Sequence, residues 1–181
     1  MSELDTLRDW YDFNAYARQR YLELFAKLSP QELSRDRGAS YPTLLGILLH
    51  SIDAYLFWLG RASPSEASSC PNEPGPDLTL DKLCRFEHEV RTRMDRFVGG
   101  LTERDLARTF RMPKGGAITR DHELTIRDML WHLVEEELQH RGELNALLWQ
   151  ADLDPPLFDW IDWVELPERR QTRGGLSSWH R

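Results

Sequence analysis

The chain has 181 residues, 40% of them hydrophobic, with 23 Lys and Arg against 30 Asp and Glu and a formal charge of −7. That length and composition suit one domain with a sizeable core, and the acidic balance argues against a phosphate backbone, hence against nucleic acid, as a partner. No apolar run is long enough to span a bilayer, and the acidic opening MSELDTLRDWYDF lacks the basic-then-apolar pattern of a secretion signal, so the sequence predicts a cytoplasmic protein with no membrane partner. Cys70 and Cys84 are the two thiols of a chain large enough to stabilise itself by burial; both are expected to be reduced and structural.

Leu4, Leu7, Tyr11, Asn14, Arg18, Tyr21, Phe25 and Leu28 recur at spacings of three and four, the stripe of an amphipathic first helix ending near Ser29-Pro30. A polar linker through Asp36, Arg37 and Gly38 leads to Tyr41-Pro42. From Thr43, the segment TLLGILLHSIDAYLFWLGR is apolar on nearly every face, which predicts a helix buried within a bundle, with His50 inside it. Residues Ala62–Pro76 are rich in Ser and Pro and read as a connector. Thr79 or Asp81 opens a third helix whose inward face is marked by Leu80, Leu83, Phe86 or Glu87, Val90, Met94 and Phe97, and Gly99-Gly100 end it.

Beyond a short helical turn (TERDL), the residues around Lys114-Gly115-Gly116 predict a small hairpin. Thr125 and Asp128 form a capping-box pattern opening a fourth long helix, which ends between Gln150 and Asp154 because Pro155-Pro156 cannot continue it. The aromatic segment LFDWIDWVEL is expected to dock on the bundle or on a partner subunit. The expected fold is all-α: a four-helix bundle with one long connection, a small hairpin before the last long helix and a short C-terminal helical segment. Residues 1–166 make the domain, and residues 167–181, with Arg169, Arg170, Arg173 and Arg181, a flexible tail.

The inward stripe of the fourth helix runs Ile126, Met129 or Leu130, Leu133, Glu136 or Glu137, His140, Leu144 and Leu147. This row sets a carboxylate and an imidazole among apolar side chains, where an unpaired charge costs several kcal/mol, roughly, and calls for a cation or a metal. Glu136 and His140 at i and i+4, or Glu137 and His140 at i and i+3, are close enough on one face to share an ion, and His50 on the facing helix supplies a third donor. Such a His-Glu-His set with an open position suits Zn²⁺, Ni²⁺ or Fe²⁺. The competing reading is bland: a satisfied core histidine at position 50, and Glu135, Glu136 and Glu137 as a solvated face paired with Arg127 or Arg141.

The segment WHLVEEELQHRGEL, with His140-Arg141-Gly142-Glu143, resembles the last-helix motif of the DinB/YfiT-like family of metalloenzymes, whose motif ends in His-Arg-Gly-Gln. YPTLLGILLHSIDAYLFWL is similar to that family's second helix, whose histidine maps onto His50, and Phe13-Asn14-Ala15-Tyr16-Ala17-Arg18 is similar to its first. The resemblance covers most of residues 3–150. It implies one divalent transition metal, Zn, Ni or Fe, held by His50, Glu136 and His140. Glu136 stands where the family has a histidine, so the implied set is two imidazoles and one carboxylate, a less positive site and a weaker acid toward bound water. His132, one turn back, is the alternative third ligand or a supporting residue; Asp53 is a candidate to orient an imidazole, Arg141 to tie the helix to a neighbouring carboxylate, and Gly142 to allow close helix approach.

By the same resemblance the expected activity is that of a thiol-dependent S-transferase or related hydrolase, in which the metal activates a low-molecular-weight thiol or water toward a small-molecule substrate, in a homodimer. The alternative is a non-catalytic dimeric bundle with a structural metal or none.

Overall fold

The computed structural model describes residues 2–63, 77–115 and 118–166. Nearly all of the expected connector, the basic tail, Cys70 and Gly116 lie outside the described residues. The chain forms α1 (Glu3–Phe25), α2 (Pro30–Leu33), α3 (Leu44–Ala62), α4 (Leu80–Gly100), a 3₁₀ turn (Glu103–Ala107), strands β1 (Thr109–Met112) and β2 (His122–Thr125), α5 (Ile126–Gln150) and α6 (Trp160–Glu165). This is an all-α bundle of four long helices with one two-stranded ribbon.

Each long helix begins where a side chain can take up its free backbone N–H groups. Ser2 and Asp5 make a reciprocal capping box at α1, as do Thr125 and Asp128 at α5, while Thr43 and Thr79 cap α3 and α4. At α3 the cap also explains a glycine: a Cβ on Gly46 would lie 3.0 Å from Thr43 Oγ1 and 3.7 Å from Tyr41 Cβ. The lack of a side chain lets the Tyr41–Thr43 segment close down over the helix.

One detail differs from the expected chain order, and the small hairpin is where it was expected. α1 ends at Phe25, and Ser29 with Pro30 opens a separate turn, α2, because proline at the first helical position has no N–H to satisfy. In the ribbon, β1 and β2 pair antiparallel with Phe110 opposite Leu124 and Met112 opposite His122, and a further bridge joins Gly115 to Ile118. α5 ends at Gln150, as the prolines beyond it require.

α3, the most apolar helix, packs against both α4 and α5, and α1 packs against the same two helices. Their inner faces share one core containing Leu7, Tyr21, Phe25, Ile47, Ile52, Leu59, Leu83, Met94, Ile126 and Leu133. The expected stripes are inward, except that Val98 rather than Phe97 completes the buried face of α4. The aromatic C-terminal segment lies on α1 of its own chain: Trp160 stacks on Trp10 with centroids 4.2 Å apart, and Trp163 packs on Phe13 and Tyr16. Cys84 is a free thiol exposed on α4, so it has no structural part in the core.

Three charges in the inward stripes meet, one guanidinium between two carboxylates. Arg18 of α1 is wholly buried, its Nε 3.3 Å from Glu87 Oε1 of α4, and its Nη1 donates to Glu137 Oε1 of α5. The guanidinium also lies over the Tyr55 ring, 4.7 Å from the centroid. Burial works against its charge, yet Glu137 and Glu87 hold its pKa above the ordinary arginine value. This layer ties three helices together at mid-bundle, and it removes Glu137 from the candidates for a metal.

Candidate metal centre

The two helices that carry the candidate residues are packed on each other, and the side chains meet near the end of α3 that follows the Tyr41–Thr43 segment. His50 of α3 and Glu136 and His140 of α5 each offer one ligand atom, and those atoms lie within 4.8 Å of one another. His140 Nε2 is 3.2 Å and His50 Nε2 3.6 Å from the same Glu136 oxygen, Oε2. His140 is buried, whereas His50 and Glu136 are partly exposed, so the cluster sits at the edge of the core with a side open to solvent.

The rings are held from outside the cluster. Tyr41 stacks on His50 with centroids 4.0 Å apart and meets His140 edge-on at 5.8 Å. His140 Nδ1 lies 3.2 Å from Glu143 Oε2, and the other oxygen of Glu143 accepts from Ser40 N at 3.0 Å and Ser40 Oγ at 2.6 Å. Although burial raises the Glu143 carboxyl, the hydrogen bonds from Ser40 and His140 leave it below the ordinary glutamate value. It is therefore ionised at neutral pH and can only accept, which makes His140 Nδ1 the protonated nitrogen. In a neutral ring Nε2 then carries a lone pair, pointed toward a carboxylate. Two acceptors this close need a proton or a metal ion between them.

No lysine or arginine pairs with Glu136 among the described residues; its ion-pair partners are His50, His132 and His140. The cations expected for this acidic run are engaged elsewhere. Arg127 pairs with Glu3 at 2.9 Å, and Arg141 lies over the Phe13 ring, 4.8 Å from its centroid. Arg141 thus ties α5 to α1 through an aromatic face rather than a carboxylate, and burial lowers its pKa. His50 is also displaced downward, first by partial burial and second by the nearby His140, against the pull of Glu136. Both effects keep its ring neutral and able to donate a lone pair. Two imidazoles and one carboxylate that no lysine or arginine of the described residues pairs with, their ligand atoms within 4.8 Å of one another, are a donor set that fits a divalent transition metal.

The scan of family models matches the DinB family over residues 1–172. The chain belongs to the DinB family. No curated protein matches it. Against the DinB motif, Glu143 takes the place of the final glutamine, and the structure gives that residue work: it fixes the tautomer of His140. The signal for this role is in the sequence: a carboxylate three residues after a ligand candidate on one helix is the spacing of a histidine-orienting group. Asp53 does not fill the corresponding place for His50, since among the described residues no hydrogen bond or ion pair joins them; its partial burial raises its pKa. Gly142 mediates no close approach, for a Cβ there would meet nothing within 4 Å. His132 stands outside the three-residue cluster, in a second group with Glu135 and Glu136.

Proposed function

We propose that this DinB protein is a metal-dependent enzyme in which His50, Glu136 and His140 hold one divalent transition metal, Zn, Ni or Fe. The observation that carries the reading is the pair of facing acceptors, His140 Nε2 and Glu136 Oε2, 3.2 Å apart with His50 Nε2 alongside. When bound, such a metal supplies a Lewis acid that lowers the pKa of a thiol or water at its open position. The protein's own contributions are distinct. Glu143 and Ser40 hold the His140 proton on Nδ1, Tyr41 fixes the His50 ring, and the partial exposure of His50 and Glu136 leaves a side from which a substrate can approach.

A three-ligand set with an open side is the pattern of catalytic rather than structural sites. From the family resemblance, not from the geometry, comes the reaction class we propose: thiol-dependent S-transfer, or a related hydrolysis, with a low-molecular-weight thiol and a small-molecule substrate. We place the domain at residues 1–166 with 167–181 as a tail, and the protein in the cytoplasm. A homodimer is part of the proposal, supported by apolar side chains left at the surface: Trp149, Leu157 and Ile161 are 61%, 93% and 69% exposed.

Elemental analysis of protein purified without added metal tests the centre. About one equivalent is expected in the wild type and little in His50→Ala or His140→Ala; equal content in all three proteins would remove it. A panel of small thiols and electrophiles, assayed with the wild type and His140→Ala, then tests the activity.

A further inference from the structure

Glu136 has two oxygens, and they face different partners. Oε2 is directed at His50 and His140, whereas Oε1 is 3.3 Å from His132 Nε2. His132 in turn lies beside Glu135, Nδ1 to Oε2 being 3.7 Å, and its ring is set edge-on against Trp58 with centroids 4.8 Å apart. Among the described residues, the side chains able to hold a metal thus form two groups, His50–Glu136–His140 and His132–Glu135–Glu136, with Glu136 in common.

We infer that Glu136 is a bridging carboxylate and that His132 and Glu135 form, with its Oε1, a second and weaker divalent-cation site beside the inner one. The inference rests on the proposed inner centre, which Glu136 Oε2 completes. Three features carry it. Glu135 and Glu136 have no lysine or arginine partner among the described residues, their contacts being to imidazoles, so the pair of carboxylates holds negative charge that the protein leaves unneutralised. His132, Glu135 and Glu136 are at i, i+3 and i+4 on α5, one face of one helix, and one ligand atom of each lies within 4.8 Å of the others, so that side-chain rotation without movement of the bundle can bring them onto one ion. Trp58 buttresses the His132 ring from α3, which restrains it toward the carboxylates. A bridged pair of cations is the arrangement that clamps both partners of a displacement. The outer site is weaker because its residues are more exposed: His132 and Glu135 side chains are 36% and 62% accessible, against 7% for His140.

The competing role for His132 is to hold Glu136 in place by a hydrogen bond, with a single ion in the protein. Stoichiometry separates the two. Metal-free protein, its fold checked by circular dichroism, is titrated with Zn²⁺ against a chromophoric chelator, and in parallel with Co²⁺ followed by its visible absorption. Two equivalents are expected for the wild type, the second binding about tenfold or more weakly, and one for His132→Ala/Glu135→Gln and for His50→Ala. One equivalent in the wild type, lost in His50→Ala and retained at reduced affinity in His132→Ala/Glu135→Gln, would overturn the outer site while leaving the inner one standing. One equivalent retained in His50→Ala but lost in His132→Ala/Glu135→Gln would overturn the inner centre and the bridge with it. Two equivalents in every variant would mean adventitious surface binding and overturn the bridged pair.

Discussion

Glu136 and Glu137 are neighbours on one helix, and the bundle treats them in opposite ways. Glu137 turns into the core and meets the guanidinium of Arg18, which Glu87 also contacts, so its charge is answered by the protein itself. Glu136, about 100° around the helix, has only imidazoles as ion-pair partners among the described residues. A carboxylate that the fold has paired with a guanidinium holds helices together; a carboxylate among imidazole nitrogens is placed to share a cation from solution with them.

The sharpest way to break this contrast is to take the cation from the paired side. Arg18→Met leaves two buried carboxylates unpaired and should cost about 3–5 kcal/mol, read as a lower urea midpoint with unchanged slope, whereas Arg18→Met/Glu137→Gln should recover part of the loss. If Arg18→Met is as stable as the wild type, the layer is not the mid-bundle tie described above.

On the other side the missing cation can be supplied. Zn²⁺ at about 100 times its dissociation constant should stabilise the wild type by about 2.7 kcal/mol, reversibly with a chelator, and should stabilise His50→Ala by much less. A melting temperature that ignores metal would mean that the imidazole cluster is only another polar edge of the core. The orientation of His140 is next in size: Glu143→Ala should weaken inner-site affinity about 10–100-fold without changing its stoichiometry, Ser40→Ala by less, and Glu143→Gln, which keeps an acceptor for Nδ1–H, least of all.

The smallest expected effect concerns a carboxylate at the start of the same helix. Hydrogen bonds from the Thr125 side chain and backbone hold Asp128 below the ordinary aspartate value of 3.8. A group depressed on folding contributes stability that is present above its unfolded pKa and lost as pH falls through its folded one. Asp128→Ala should therefore cost about 0.3–1 kcal/mol at pH 7, and the gap to the wild type should narrow in thermal melts taken progressively below pH 3.8, the ordinary value. A gap independent of pH would assign the effect to the helix propensity of the new side chain.

Much of this protein is written in local order. The spacing of apolar residues located all four long helices, Thr125 with Asp128 located the start of α5, Pro155-Pro156 its end, and His50, Glu136 and His140 could be named in advance because a helical period places i and i+4 on one face and because the surrounding segments carry a family motif. Those rules act over a few residues and are present in any window of the chain. Periodicity alone left Glu136 and Glu137 open, and the family motif was what favoured Glu136, since by local rules the two differ only in which direction each points once the helices have docked.

The tertiary structure decided that choice, and it did so through residues far off in sequence. Arg18 lies 119 positions before Glu137 and claims it, Ser40 lies 103 positions before Glu143 and orients it, and Phe13 takes the guanidinium of Arg141 that a carboxylate was expected to hold. Each is a competition for a partner, and its outcome depends on which side chains the packed helices bring within about 3 Å. Periodicity determines which residues face inward; only packing determines which of them meet.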